Sequence, residues 1–271
     1  MAEFLEVLSF PFMRRALIVG VIVSLCAALL GVVLVLKRYS LIGHGLGEVG
    51  FASLALAMAL GLPPLPVAIP LVVAASFLIM YLSQRGALAG DAAIGIMAAA
   101  ALSFGVIVTS LSKGFNMDVS DYMFGSILAV SEGDVVLSVI LGLAVILLYA
   151  LFFNRLFAIS YDEVNARATG INVSLYQFMI SLLTAITVVL GMRMMGTMLI
   201  SSLILFPALT ARRLAGSFKA MTVTAAILSV VCFLIGLMLS YVLDLPTGAS
   251  VVGVNLIALM GSAGLKRVLR G

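Results

Sequence analysis

Residues 16–36 read ALIVGVIVSLCAALLGVVLVL, a run with no charged side chain. A helix needs about 20 apolar residues to cross the hydrocarbon core of a bilayer, so this stretch is long enough alone. It does not alternate polar and apolar positions as the strands of a membrane barrel do. Lipid offers no hydrogen-bond partner to an open backbone, which leaves a helix as the structure such a run can adopt. Glu3 and Glu6 stand ahead of it, and the run is longer than the apolar core of a signal peptide. It is therefore expected to stay in place as a first span.

The rest of the chain repeats the pattern. Of 271 residues, 64% are hydrophobic and 10% charged, with a mean hydropathy of +1.31. A soluble domain carries about a quarter charged residues, so this composition excludes a water-coated globule of the same size. Further apolar runs lie at 45–62, 64–82, 92–111, 135–153, 175–190, 195–211, 220–243 and 250–265. The expected fold is all-α, a polytopic bundle of nine transmembrane helices within a single domain covering residues 1–271. The count drops to eight if 175–190 and 195–211, parted by Gly191 to Met194, are one broken element. The longest outer connection, 115–130, is partly apolar and could form a short re-entrant or surface helix.

The net charge of +4 comes from residues in short connections. Lys37, Arg38, Arg85, Arg155, Arg167, Arg212, Arg213, Lys219, Lys266, Arg267 and Arg270 fall on one side. Arg14, Arg15, Lys113 and Arg193 fall on the other. Eleven against four places the first set in the cytoplasm, the amino terminus outside and the carboxyl terminus inside. No basic face interleaved with aromatics is present, so nucleic acid is not an expected partner. Cys26 and Cys232 both lie within apolar spans, where they read as small packing residues.

An ionisable group inside a span is costly unless it pairs or lines a polar path, so each is a functional candidate. His44, the single histidine, and Glu48 meet that description. Four residues apart, they share one helix face, and imidazole nitrogen and carboxylate oxygen are both ligands for divalent metals. Spacing alone leaves open whether they hold a metal or simply bond each other. Gly43, Gly47 and Gly50 lie on a neighbouring face and would admit a close helix, which could bring a second copy of the pair. Met192, Met194, Met195 and Met198 could offer thioethers, but among fifteen methionines they read as packing residues. Asp91 reads as a helix cap, and Arg193 as an interface anchor. No Gly-x-x-x-x-Gly-Lys-[Ser/Thr] loop is present to cradle a nucleotide, and no nucleophile–base arrangement suggests bond chemistry.

The cytoplasmic connection 154–172, NRLFAISYDEVNARATGIN, has the signals of a compact helix at about 160–171. Ser160 or Asp162 could cap its start and Gly170 its end. Ile159, Val164, Ala168 and Ile171 would give it an apolar side, suited to a surface connection or to docking a cytosolic motor.

Taken in order along the chain, LKRYSLIG at 36–43, DAAIGI at 91–96, FGSIL at 124–128, YDEVNARATGI at 161–171, GTMLISSLILFPALTAR at 196–212 and DLPTGA at 244–249 resemble the metal-ion ABC importer permeases for zinc, manganese and iron. The resemblance runs over nearly the whole chain. It implies a prokaryotic cell-membrane permease that pairs with a second copy, an ATPase docked on the 161–171 segment through residues such as Asp162, Glu163, Ala166 and Gly170, and an extracytoplasmic metal-binding protein that delivers the cargo. It further implies a metal-handling pair in the second span, which in the family usually reads Asp, then His four residues on. Here the order is reversed, His44 then Glu48. No covalent cofactor is expected; the metal is cargo, and ATP is expected to be hydrolysed on a separate subunit. The rival from another class is a proton-coupled secondary carrier in which His44 and Glu48 relay protons; a third is a membrane scaffold.

Overall fold

A computed structural model describes residues 11–84, 90–112 and 132–268. The connection at 115–130 and the stretch 124–128 lie outside the described residues. Among the described residues the chain forms eleven helices and no strand: α1 Pro11–Leu36, α2 Ile42–Ala59, α3 Pro64–Gln84, α4 Gly90–Leu111, α5 Glu132–Leu151, α6 Phe153–Tyr161, α7 Glu163–Ala168, α8 Val173–Met195, α9 Thr197–Leu214, α10 Phe218–Leu243 and α11 Thr247–Val268. Eight of them (α1–α4 and α8–α11) are long and apolar enough to cross a membrane. The α5–α6 pair, bent by 70°, supplies a ninth by the same measure. The apolar runs of the sequence therefore correspond to the bundle one for one.

α1 is the central post, packed against α5, α8, α9 and α10, while α2 sits among α3, α4 and α9. Helices in lipid have little hydrophobic drive to associate, so close contact depends on small residues. Gly31 is the clearest case: a Cβ placed there would lie 2.0 Å from the carbonyl oxygen of Ile204. Only glycine lets α1 and α9 cross at that distance. Gly31→Ala is expected to cost about 1–3 kcal/mol or more, the usual penalty for overpacking, read as a lower melting temperature of the detergent-solubilised protein. An unchanged temperature would contradict this crossing.

Two boundaries differ from the sequence expectation. The second span runs from Ile42 to Ala59 instead of 45–62. It closes in a Schellman turn, with Leu62 N–H donating to Ala57 C=O and Gly61 N–H to Met58 C=O. The break between the sixth and seventh spans falls at Gly196, not at 191–194. Gly196 has φ 83° and ψ 160°, a conformation essentially restricted to glycine. The two helices double back there: a Cβ on Gly191 would sit 2.5 Å from Ile200 Cδ1, whereas nine residues of straight helix would hold them about 13 Å apart.

The two ends of the bundle are distinct. At one, Lys37 pairs with Glu163, Arg155 lies over the Tyr176 ring, and Phe153 and Phe157 pack on Phe218. At the other, Arg15 pairs with Glu132. The connections that carry Lys37, Arg155, Arg167 and Lys219 thus gather at one end, the cytoplasmic one by the charge rule. Asp91 lies within the first turn of α4, a place where negative charge suits the helix dipole. Met192 and Met195 are buried, as packing residues should be, and Cys26 and Cys232 are buried free thiols.

Candidate functional site

α2 positions the first group of candidates. From Ile42 to Met58, His44 is the one exposed residue. Its side chain is 46% exposed, while that of Glu48 is 10% exposed, and Nδ1 lies 3.8 Å from Oε1. That separation is too long for a hydrogen bond, so both groups keep lone pairs for a third partner. Gly43 and Gly47 face α9, against Ile204 and Thr197, and Gly45 faces Ile94 of α4. The close neighbour on the glycine side is α9 of this same chain. A second copy would therefore have to approach from elsewhere, and His44 emerges between α4 and α9.

Depth follows from shared contacts. Gly31 of α1 and Gly43 of α2 press on the same residue, Ile204, so the first turn of α2 is level with a point five residues inside the end of α1. At 1.5 Å per residue, Glu48 stands about 15 Å from that end along the bundle, well inside it. Among the described residues no group of three or more His, Cys, Asp and Glu side chains comes together. Among the described residues, α2 thus presents two donors, an imidazole and a carboxylate.

The second group lies at the cytoplasmic end. The helix expected at about 160–171 is α7, which starts at its cap, Asp162; a longer helix, α6, precedes it and is parted from it there. Asp162 is extended (φ −147°, ψ 99°), and its side chain accepts a hydrogen bond from the Asn165 N–H at 3.0 Å, an N-cap. The Ser160 hydroxyl turns inward to the Leu156 carbonyl and caps nothing. Gly170, at φ +81°, closes α7 in a Schellman turn with Ile171 N–H donating to Ala166 C=O and Gly170 N–H to Arg167 C=O.

The break at Asp162 also divides the expected apolar side. Ile159 and Ala166 pack inward with Val173 and Tyr176. Val164 and Tyr161 are left 80% and 81% exposed. Ala166, at 3% exposed, supports α7 from beneath and does not face outward. Glu163 is engaged within the chain: it accepts from Arg167 Nη2 at 2.8 Å, Gln177 Nε2 at 3.1 Å and Lys37 Nζ at 3.3 Å. Burial pushes the Glu163 carboxyl up, but the Lys37 charge and the Arg167 hydrogen bond outweigh it and hold the group below its ordinary value. Burial also dominates at Lys37 and lowers its ammonium despite the opposite charge of Glu163. The carboxylate's contribution is complete above the ordinary carboxylate range and is lost as pH falls through its lowered value. The contact of Glu163 with Lys37 and α6 itself were not legible in the sequence; their only trace is a lysine directly after an apolar run and the aromatic spacing of Phe153 and Phe157.

Comparison with known proteins gives a consistent picture. The sequence profile of the ABC 3 transport family matches residues 9–265. The manganese import system permease protein ScaB of Streptococcus gordonii is 31% identical over 251 residues, covering 92% of this chain and 90% of the relative. The high-affinity zinc uptake system membrane protein ZnuB of Haemophilus influenzae is 30% identical over 246 residues, 90% of this chain and 93% of the relative. Among solved structures, PsaBC from Streptococcus pneumoniae in complex with Fab aligns with a TM-score of 0.85 at 30% identity, covering 96% of this chain and 94% of that one.

Proposed function

The chain belongs to the ABC 3 transport family, and on that footing we propose that it is the membrane-spanning permease of an ATP-driven importer for divalent transition-metal ions. The observation that carries the site is α2, buried from Ile42 to Ala55 except at His44, with Glu48 buried one turn further along. An ionisable pair within a span marks a path for ions. Two chains related by a two-fold axis would bring two imidazoles and two carboxylates to one point, a donor set suited to manganese or zinc. The exposure of His44 supports such a homodimer.

The permease itself does no bond chemistry in this scheme. A cytosolic ATPase hydrolyses ATP and docks on α7, whose exposed Val164, with Tyr161 at the end of α6, forms an apolar surface that a groove on the partner would cover. An extracytoplasmic metal-binding protein supplies the ion at the opposite end. Closure of the ATPases passes through α7 and switches the paired permeases between outward and inward access. The residues of the site are thus His44 and Glu48 for the metal, and Asp162, Glu163, Ala166 and Gly170 for shaping the docking segment. Uptake of manganese or zinc should stop when the ATPase partner is inactivated and survive a proton uncoupler. The opposite pattern would select the proton-coupled carrier.

A further inference from the structure

The ion pair between Lys37 and Glu163 joins two parts of the molecule that are 126 residues apart in sequence. Lys37 closes α1 and opens the turn into α2. That turn is a Schellman motif, with Tyr39 N–H donating to Leu34 C=O and Arg38 N–H to Val35 C=O. Arg38 occupies its left-handed position at φ 62°, and Tyr39 is buried. The turn is therefore tightly specified, and seven residues beyond Lys37 stands His44 on the same helix that carries Glu48. At the other end of the pair, Glu163 is the first residue of α7 and also holds Gln177 of α8. The Lys37 side chain is 7% exposed. A nearly buried lysine is costly unless paired, so the turn and α7 are bound to move together.

We propose that Lys37 and Glu163 are positioning residues that transmit displacement of the ATPase-docked helix α7 to the start of α2, and so to His44 and Glu48. The proposal rests on the permease reading above. Neither residue touches the metal. Gln177 extends the same carboxylate to α8, so α7, the α1–α2 turn and α8 share one anchor, and movement at the cytoplasmic surface reaches the metal-bearing helix without crossing the lipid-facing side of the bundle.

The test is a double-mutant cycle on the permease assembled with its ATPase, reading hydrolysis stimulated by added manganese or zinc per assembled complex. Lys37→Gln should co-purify with the ATPase in the parent's ratio yet lose stimulated hydrolysis by about tenfold or more, the scale of one charge-assisted hydrogen bond. Glu163→Gln should lose a similar amount. The double variant, which leaves no buried charge unpaired, should be no worse than the more damaged single, because both changes break one link. Lys37→Arg, which keeps the charge, should retain more than about half. Parent-level stimulation in Lys37→Gln, or losses that multiply in the double variant, would overturn the proposal. If the unaltered permease with its ATPase shows no response to either metal, the permease reading itself fails, an outcome separate from loss confined to the variants.

Discussion

Metal uptake is expected to fall to background when Glu48 is replaced by alanine, and nearly as far when His44 is, with the protein still in the membrane and bound to its ATPase. In a two-fold assembly each substitution removes two donors at once. Loss of a group that merely supports a ligand typically costs 10–100-fold in metal affinity, so loss of the ligands themselves should cost at least about that much. Glu48 should be the more sensitive: its side chain is 10% exposed and lies deeper, whereas His44 is 46% exposed. The substitutions should be tolerated by the fold. Neither residue makes a hydrogen bond that fixes α2, and the packing of that helix rests on Gly43, Gly45 and Gly47 against α9 and α4. Restoring the family's usual order, His44→Asp with Glu48→His, should recover part of the uptake if donor type matters more than placement. Normal uptake by both alanine variants would reduce the pair to a local contact.

Ala166→Trp should abolish association with the ATPase while leaving the spans intact. Ala166 is 3% exposed and lies between α7 and the Ile159–Val173–Tyr176 cluster, where an indole has no room. Overfilling a packed site costs about 1–3 kcal/mol, more than six residues of helix capped by Asp162 and Gly170 can absorb. α7 should therefore lift off, and with it the docking surface. Val164→Arg tests the outer face by itself: at 80% exposed it should leave α7 in place yet reduce ATPase co-purification by about tenfold. Full recovery of the ATPase with both variants, and unchanged stimulated hydrolysis, would exclude α7 as the docking element.

The spans were legible because lipid imposes length and continuity on any apolar run that crosses it; residues 16–36 could be nothing else. Their ends were less so, since Gly61 and Gly196 act through a single backbone angle. The charge pattern separated the ends of the bundle, and the Lys37–Glu163 and Arg15–Glu132 pairs lie at opposite ends accordingly. The pair on α2 was legible because ionisable groups are rare in spans, but its setting was not. Gly43 and Gly47 signalled a close helix without saying that it is α9. The docking segment was legible in its cap and its closing glycine, but not in the helix that precedes it. Asp162 was read as a possible cap of a helix beginning near it; it does cap α7, but its extended backbone also ends α6. A further helix therefore stands ahead of the expected one, and Glu163 turns toward Lys37.

The most direct test of the account is equilibrium binding of radioactive manganese or zinc to the purified permease. The arrangement predicts one ion per two chains, with that binding lost in both His44→Ala and Glu48→Ala. One ion per chain, or binding unchanged when both residues are replaced, would contradict it.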